Sequence, residues 1–331
     1  LFLIACSKLL NIYKKENKIV CMKWLFIGPS TLSGIGQVTA RYARLMRGEY
    51  VVAGDTPKEF HYDRGFIFIL PIQSFIDMAK QYERFCGSMM YMTICETEPV
   101  NEAYGMLTKY KTFHVASEFC KEVFEKQFPD VNWNVLHLYA DVPDIPRQPK
   151  TSGAYVFYTI GNMADPRKNI RSLLKAFREL RLPNARLLLK ATCNQEYRVD
   201  IPGVTVINAL LTNEQMEGVH AQGDCYINCS HSEGVGMGAV EAALRDKPVI
   251  ITDYGGLKEY VQTPWVVRCT KGPIGVDDFL FKADHMWGYP SYEDLKSHMK
   301  ACYDGDVRQW SHPHTRQLMD NVKTQLKQLE H

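Results

Sequence analysis

The chain has 331 residues, a length that allows two domains with substantial hydrophobic cores. Its net charge of +2 at pH 7 gives no strong positive field, which argues against a nucleic-acid partner. No apolar run reaches the roughly 18 residues that a membrane-spanning helix requires, so the sequence predicts no transmembrane segment.

The first 21 residues combine a short apolar run with lysines that follow it. A signal peptide carries its positive charges before the apolar run, so this order does not match one. Met22 stands directly before a strand-like run. We therefore expect residues 1–21 to be a dispensable extension, and the folded unit to begin near Met22.

The chain contains ten cysteines but no pair spaced as CxxC. Several lie in apolar runs, namely Cys95, Cys193, Cys225 and Cys229. This pattern favours buried, reduced thiols of a cytoplasmic protein over a disulfide framework. A metal site is disfavoured, because Cys225 and Cys229 would both point from one face of a strand into a core.

A glycine-rich turn follows the first predicted strand, 24–27. It contains Gly34 and Gly36 and leads into an amphipathic helix, so the segment has the pattern of a βα unit with a turn suited to phosphate. The dinucleotide fingerprint requires a third glycine where Thr39 stands. Two interpretations stay open, a phosphate-binding turn and a tight turn that packing alone requires.

The rest of the first half alternates strands and helices. Strands are predicted at 50–53, 66–70, 89–95, 112–116 and 135–138, and helices at 74–85 and 118–128. Ser117 is a good N-cap for the second helix. Glu96 and Glu98 follow a strand, where ligands bind in α/β sheets, but solvated loop charges are an equally good interpretation.

A proline-containing segment between residues 140 and 153 is the predicted linker. Beyond it the alternation restarts, with strands at 155–160, 185–191, 204–207, 225–229, 248–252 and 265–267. Helices are predicted at 170–180, 212–221, 239–245, 292–303 and 314–329. The predicted fold class is α/β, with two Rossmann-like, doubly wound parallel-sheet domains facing each other across a cleft.

Two acids bracket a glycine-rich loop between a strand and a helix in the second half. They are Glu233 and Glu241, and the loop between them holds Gly234, Val235, Gly236, Met237 and Gly238. Glycines let backbone N–H groups approach a ligand, and a helix N-terminus favours negative charge. Glu241 belongs to an otherwise small and apolar helix, so its carboxylate must be paired or bound. The stretch is suited to an anionic, polyhydroxylated ligand.

Arg167 and Lys168 follow a strand ending at Gly161 and precede a helix. Two adjacent cations there could neutralise a diphosphate, which Arg can grip through two parallel hydrogen bonds. Cations oppose the dipole at a helix start, which costs a few tenths of a kcal/mol unless an anion is present. The alternative is a solvated surface pair.

These residues resemble a known family, the retaining GT-B glycosyltransferases of family GT4. The resemblance rests first on the Glu-x7-Glu spacing of Glu233 and Glu241. It extends to Lys247-Pro248-Val249-Ile250, Gly255-Gly256-Leu257-x-Glu259, the loop 161–169, the turn 33–36, Glu96-Thr97 with Pro99, and the run 115–119. Roughly residues 22–261 are covered.

The resemblance implies a metal-independent transferase that takes a hexose from a nucleotide sugar, with no further cofactor. Arg167 and Lys168 would hold the donor diphosphate, Glu233 the sugar hydroxyls and Glu241 the ribose. The loop from Gly234 to Gly238, Gly161 and the turn with Gly34 and Gly36 would lie near the donor. Glu96 and Glu98 would lie on the acceptor side.

The resemblance also implies a division of the chain. Residues 22–142 would form the acceptor-side domain, 150–312 the donor domain, and 313–331 a helix that returns to the first domain. The acceptor would be a glycan, a lipid-linked sugar or another hydroxyl compound, with peripheral membrane contact compatible with it. The donor stays open between UDP-sugars and GDP-sugars, with a slight preference for a GDP-mannose-like donor.

Three features depart from the family pattern. No histidine can be assigned near the sugar, because His114 lies in the middle of a strand. Gly238 and Ala239 stand where proline is common in the family. The first domain is also short.

Two other functions remain as alternatives. One is a nucleotide-sugar-binding protein without activity. The other is an NAD-dependent oxidoreductase, which Thr39 and the lack of an acid ending the second strand disfavour.

Overall fold

The computed structural model of the protein describes residues 22–146, 149–192, 196–278 and 280–329. The predicted extension 1–21, Cys193 and the last two residues of the predicted C-terminal segment lie outside the described residues. The predicted fold class is confirmed, because each half of the described chain forms its own parallel α/β sheet.

Six parallel strands form the first sheet of the described chain, in the order β2-β1-β3-β4-β5-β6. They are β1 (Trp24–Gly28), β2 (Glu49–Val52), β3 (Tyr62–Phe68), β4 (Cys86–Thr93), β5 (Thr112–Val115) and β6 (Asn132–Val135). The helices are α1 (Gly34–Leu45), α2 (Gln73–Glu83) and α3 (Glu118–Gln127), with a 3₁₀ helix at Glu102–Leu107. All five residues of β1 are buried, as expected for a central strand covered on both faces.

The second sheet has the order β12-β11-β10-β7-β8-β9 among the described strands. These are β7 (Tyr155–Gly161), β8 (Ala185–Ala191), β9 (Val204–Ile207), β10 (Cys225–Asn228), β11 (Val249–Thr252) and β12 (Val266–Val267). The helices are α4 (Ile170–Leu180), α5 (Asn213–Gln222), α6 (Met237–Leu244), α7 (Leu257–Tyr260), α8 (Tyr292–Asp304) and α9 (Pro313–Gln328). A 3₁₀ turn at Pro166–Lys168 and an antiparallel hairpin of β13 (Cys269–Pro273) and β14 (Met286–Pro290) complete the described domain.

The strand predicted at 135–138 is wrong, because β6 ends at Val135. Trp133, which two asparagines flank, is the buried residue of β6 and packs into the core. Residues 136–138 leave the sheet towards the second domain, where Leu138 N donates to the Tyr260 hydroxyl at 2.8 Å. The hydrophobicity of Leu136 and Leu138 therefore reflects burial between domains.

The C-terminal ends of the central strands of both sheets face each other. Residues that follow β4 and β5 contact residues that follow β7, β10 and β11: Glu96 contacts Arg167, Ile94 packs against Gly234, and Glu118 N donates to Glu259. Helix α9 packs against α1 of the first domain and against α6 and α7 of the second. Its Met319 sulfur accepts from Ala140 N at 3.1 Å, which joins the helix to the connecting segment. The domain limits proposed from the sequence stay predictions.

Candidate active site

Arg167 and Lys168 owe their placement to a short 3₁₀ turn after β7. Asp165 begins this turn, and its side chain accepts from Arg167 N at 2.9 Å. Asn169 then takes a left-handed conformation, with φ 54°, and α4 starts at the next residue. The two cations are therefore fixed beside the loop that follows β10, because His231 N donates to the Arg167 carbonyl at 2.7 Å.

Glu233 joins both cations. Lys168 Nζ lies 2.5 Å from Glu233 Oε1, and Arg167 Nη1 lies 2.9 Å from Oε2. Ser230 Oγ donates to Oε1 at 2.7 Å, and Asn228 Nδ2 donates to the same oxygen at 3.3 Å. Glu233 is buried, with only 5% of the residue exposed.

The first domain contributes Glu96 to this cluster. Glu96 follows β4, and its Oε1 lies 3.0 Å from Arg167 Nη1. Asp165 Oδ2 contacts the other end of the guanidinium, 3.1 Å from Nη2. Arg167 is thus surrounded by three carboxylates from both domains, and the predicted site residues Arg167, Lys168, Glu233 and Glu96 come together.

The cluster strongly shifts the ionisation of its members. Burial by itself raises the pKa of the Glu233 carboxyl, but Lys168 and Arg167 together hold this pKa well below its ordinary value. Burial raises the pKa of Glu96, against the attraction of Arg167 and with the repulsion of Glu233. Burial lowers the pKa of Arg167, but Glu96, Glu233 and Asp165 outweigh it and raise the pKa. Glu233 is therefore ionised at neutral pH, and Arg167 is a permanent cation.

The three glycines of the loop stand where a side chain would be crowded or the backbone strained. A Cβ on Gly234 would lie 2.4 Å from Cγ1 of Ile94, in the first domain, and one on Gly238 would lie 2.3 Å from the Tyr226 hydroxyl. Gly236 has φ 75° and forms the N-cap of α6. Val235 is buried, and Met237 is partly buried against the core. The loop therefore contacts the first domain at Gly234 and packs within the second domain at Gly236 and Gly238.

A narrow pocket lies between the end of β7 and the Glu233 side chain. Its lining combines cluster residues with Gly161 and Met163. A Cβ on Gly161 would lie in ordinary van der Waals contact with Lys168, 3.5 Å from its Cε, so the two residues are neighbours. The predicted donor residue Gly161 therefore lies beside the predicted phosphate ligand Lys168.

Glu241 is paired, as its small and apolar helix predicts. It lies on α6, and its Oε1 accepts from Arg41 Nη2 at 2.6 Å. Arg41 belongs to α1, so this ion pair crosses from the second domain to the first. Burial raises the pKa of the Tyr226 hydroxyl, and the charges of Glu233 and Glu241 raise it further.

Glu98 lies in a domain contact rather than in the cluster. Lys271 Nζ lies 2.7 Å from its carboxylate, and the Tyr254 hydroxyl donates to it at 2.8 Å. Its backbone pairs with Met286 of the hairpin, with N···O distances of 3.1 and 2.7 Å. Burial raises the pKa of Glu98, but Lys271 and Tyr254 outweigh it and lower the pKa. Glu98 thus ties the first domain to the hairpin β13–β14.

The two turn glycines differ from each other. A Cβ on Gly36 would lie 2.2 Å from the Ser30 carbonyl oxygen, so packing alone requires glycine there. Gly34 is exposed, and a Cβ there would meet nothing within 4 Å. Within the described part of the chain, no hydrogen bond or ion pair joins this turn to the Arg167 cluster.

Other interdomain contacts surround the site. Glu259 accepts from the backbone N–H groups of Glu118 and Phe119, at 2.8 and 2.9 Å, and so caps α3 of the first domain. Tyr260 donates its hydroxyl to the Ala116 carbonyl. A Cβ on Gly256 would lie 2.5 Å from Oγ of Ser117, in the first domain. Polar contacts from Glu259 and Tyr260, together with those of Glu98, therefore hold the two domains against each other around the site.

Sequence reasoning missed several residues of the cluster. Asp165 before Pro166 has the pattern of an N-cap, a signal that could have identified it. Asn228 and Ser230 precede Glu233 by a few positions and could have been inferred as its supports. Arg41 carries no such signal, because its contact with Glu241 joins residues 200 positions apart.

One family model matches part of the chain. Residues 154–274 match the family described as Glycosyl transferases group 1, a little over a third of the chain. The matched segment contains Arg167, Lys168, Glu233 and Glu241. No curated protein matches the sequence.

Solved structures with the GT-B fold are similar to this chain. Sucrose-phosphate synthase from Thermosynechococcus elongatus has 12% identity and a TM-score of 0.62, and covers 93% of this chain and 98% of that one. HepE from Anabaena, in complex with UDP and glucose, has 12% identity and a TM-score of 0.62, with 93% and 99% covered. TarM has 12% identity and a TM-score of 0.55; 80% of this chain is covered, but it spans only 53% of TarM. At these identities the likeness shows the GT-B fold.

Among the helices of the described residues, none is both long and apolar enough to cross a bilayer.

Proposed function

We propose that the protein is a glycosyltransferase that moves a hexose from a nucleoside-diphosphate sugar to a hydroxyl of a glycan, lipid or other acceptor. The observation that carries this proposal is the contact of Lys168 and Arg167 with Glu233 at the C-terminal ends of β7 and β10. The segment that holds these residues matches a glycosyltransferase family. The fold shared with HepE, which was solved with UDP and glucose, supports a donor of this class.

Lys168 and Arg167 are the proposed partners of the donor diphosphate. Lys168 carries one compact charge whose partner is Glu233, at 2.5 Å, so a phosphate oxygen can share it. Arg167 already has three carboxylates around it, which fix its guanidinium in place. Fixed cations stabilise the charge that develops on a leaving diphosphate without reorganising during the reaction. The N-terminal end of α6 adds a favourable dipole.

Glu233 is the proposed ligand of the transferred sugar. Because its pKa is held well below the ordinary value, it is an acceptor-only carboxylate at neutral pH. Sugar hydroxyl groups are donors that can replace part of its present set of contacts. The backbone of Gly234 to Gly238 lies next to it and, without side chains at three positions, can approach sugar and phosphate closely.

Glu241 is the proposed ligand of the nucleotide ribose, since a carboxylate can accept both hydroxyls of a diol.

In the proposed reaction, the bond between the anomeric carbon and the phosphate oxygen breaks, and the acceptor oxygen bonds to the anomeric carbon on the same face, which retains the configuration. The leaving phosphate oxygen takes the acceptor proton. Glu96 lies on the first-domain side of the cluster and is the proposed contact on the acceptor side.

The role of Lys168 is tested by Lys168→Ala in turnover of a nucleotide sugar. Loss of one fixed stabilising charge is expected to lower kcat by about 10²–10³. Lys80→Ala is the matched control, because Lys80 is an exposed lysine of α2 whose side chain is 55% accessible. Wild-type activity in Lys168→Ala would exclude the phosphate role.

Calorimetry with UDP, GDP and NAD separates the alternatives. Binding of UDP or GDP, with weaker binding to Glu241→Ala, supports the proposal. Binding of NAD alone would favour an oxidoreductase. Binding of a nucleoside diphosphate without turnover of any sugar donor would favour a non-catalytic binding protein.

NMR of the product's anomeric centre tests the retaining mechanism. A product with inverted anomeric configuration would exclude that mechanism.

A further inference from the structure

Arg41 is a first-domain residue that contacts the proposed ribose ligand. It lies in the third turn of α1, while Glu241 lies in α6 of the second domain. Arg41 Nη2 donates to Glu241 Oε1 at 2.6 Å, and each side chain is only 14% exposed. Such a charge-assisted contact, shielded from solvent, fixes geometry more firmly than an exposed ion pair does.

The nearest alternative cation, Arg245, is engaged elsewhere. Its Nε donates to Glu217 at 2.9 Å, and its Nη2 also contacts the Glu217 carboxylate. Its Nη1 donates to the backbone carbonyl of Glu241 at 2.7 Å, which fixes the helix rather than the side chain. Among the described residues, Arg41 is therefore the cation that holds the Glu241 carboxylate.

Arg41 is itself held from a second direction. Its Nε lies 3.5 Å from Asp141 Oδ1, in the segment that connects the two domains. The same aspartate pairs with Arg44, one turn further along α1, at 2.5 Å. Asp141 thus keeps the Arg41 guanidinium directed across the domain contact.

The pair leaves part of Glu241 available. Arg41 donates to Oε1, and no hydrogen bond within the described residues reaches Oε2. A ribose diol that approaches Glu241 finds one oxygen free and the carboxylate rotation fixed. The orientation is present only when the two domains are in contact, because Arg41 and Glu241 belong to different domains.

We propose that Arg41 is a positioning residue that orients Glu241 for the nucleotide ribose and so couples ribose recognition to contact between the domains. The proposal rests on the proposed function, since it takes the ribose of a nucleotide as the ligand of Glu241. It predicts that the contribution of the ribose hydroxyls to affinity depends on Arg41.

The test is calorimetric titration of wild type and Arg41→Gln with UDP, GDP and their 2′-deoxy forms. Wild type is expected to prefer the ribonucleotide. Arg41→Gln should bind the preferred ribonucleotide roughly tenfold more weakly, while its affinity for the 2′-deoxy form changes by less than about twofold. Arg44→Gln is the matched control, because Arg44 lies on the same helix and pairs with Asp141 but not with Glu241.

If Arg41→Gln weakened binding of the ribonucleotide and of its 2′-deoxy form equally, Arg41 would act only as a contact between the domains, and the proposal would be overturned. Unchanged binding of both nucleotides would overturn it as well. Arg41→Lys keeps the charge and should recover part of the ribonucleotide preference; no recovery in a folded Arg41→Lys would also count against it. Failure of wild type to bind UDP or GDP at all would instead remove the proposed function. Thermal unfolding of each variant identifies any that fails to fold.

Discussion

The contact between Gly234 and Ile94 offers a sharp test of how the site is assembled. A Cβ on Gly234 would lie 2.4 and 2.5 Å from Cγ1 and Cδ1 of Ile94, and 3.0 Å from the Cys95 carbonyl oxygen. Carbon atoms in favourable contact lie about 3.5–4.0 Å apart. Gly234→Ala therefore forces the glycine loop and the end of β4 apart by about an ångström.

The cost follows from overpacking. Forcing an extra carbon into a packed contact typically costs about 1–3 kcal/mol, which corresponds to roughly 5- to 150-fold in an equilibrium. Here the strained contact joins the two domains, so the cost falls mainly on the closed arrangement. Because Glu96 contacts Arg167 only in that arrangement, we expect kcat/KM for the donor to fall by a similar factor.

The assay is steady-state release of nucleoside diphosphate by Gly234→Ala, by Ile94→Ala and by the double variant. Ile94→Ala removes Cγ1 and Cδ1 together with Cγ2, which relieves the two closest contacts, so the double variant should recover most of the lost activity. Gly153→Ala is the control, because a Cβ there meets nothing within 4 Å. Full activity of Gly234→Ala, or no recovery in a folded double variant, would refute the reasoning.

Two further predictions concern stability. Glu259→Gln removes the charge that caps α3 across the domain contact and should lower the free energy of unfolding by about 0.5–2 kcal/mol, measured by urea titration; an unchanged value would contradict the capping role. Glu233 has a folded-state pKa below its unfolded value of about 4.3, so its stabilisation is complete above that pH and is lost as pH falls through the folded pKa. The free energy of unfolding of wild type should therefore fall more steeply below about pH 4.3 than that of Glu233→Gln, and parallel curves would contradict this.

The sequence predicted those parts of the fold that local pattern determines. Helix α4 and strand β8 have the predicted bounds, because α4 has a clear helical period and β8 is a short, mostly apolar run that is continuously buried. Strand β6 was misplaced because Trp133, its one fully buried residue, stands between two asparagines that give the segment a polar appearance. The hairpin β13–β14 was missed, because its stability comes partly from packing: its Trp287 stacks on His231, with ring centres 4.6 Å apart.

The site shows the same division. The proximity of Arg167, Lys168 and Glu233 could be predicted because each follows a strand in a recognisable pattern and the sheet brings the ends of β7 and β10 side by side; their roles stay predictions. The different settings of Glu96 and Glu98 were not predictable, because each depends on what the second domain places opposite it. The Arg41–Glu241 pair likewise depends on how the two domains meet.

The most direct test of the proposed function is a screen of UDP- and GDP-sugars for release of the nucleoside diphosphate, with both products identified by mass spectrometry. Wild type is expected to release UDP or GDP from at least one donor, with the sugar transferred to water or an added acceptor, and Lys168→Ala is expected to lose this activity. No release from any donor by a folded wild-type protein, or equal release by Lys168→Ala, would contradict the central claim.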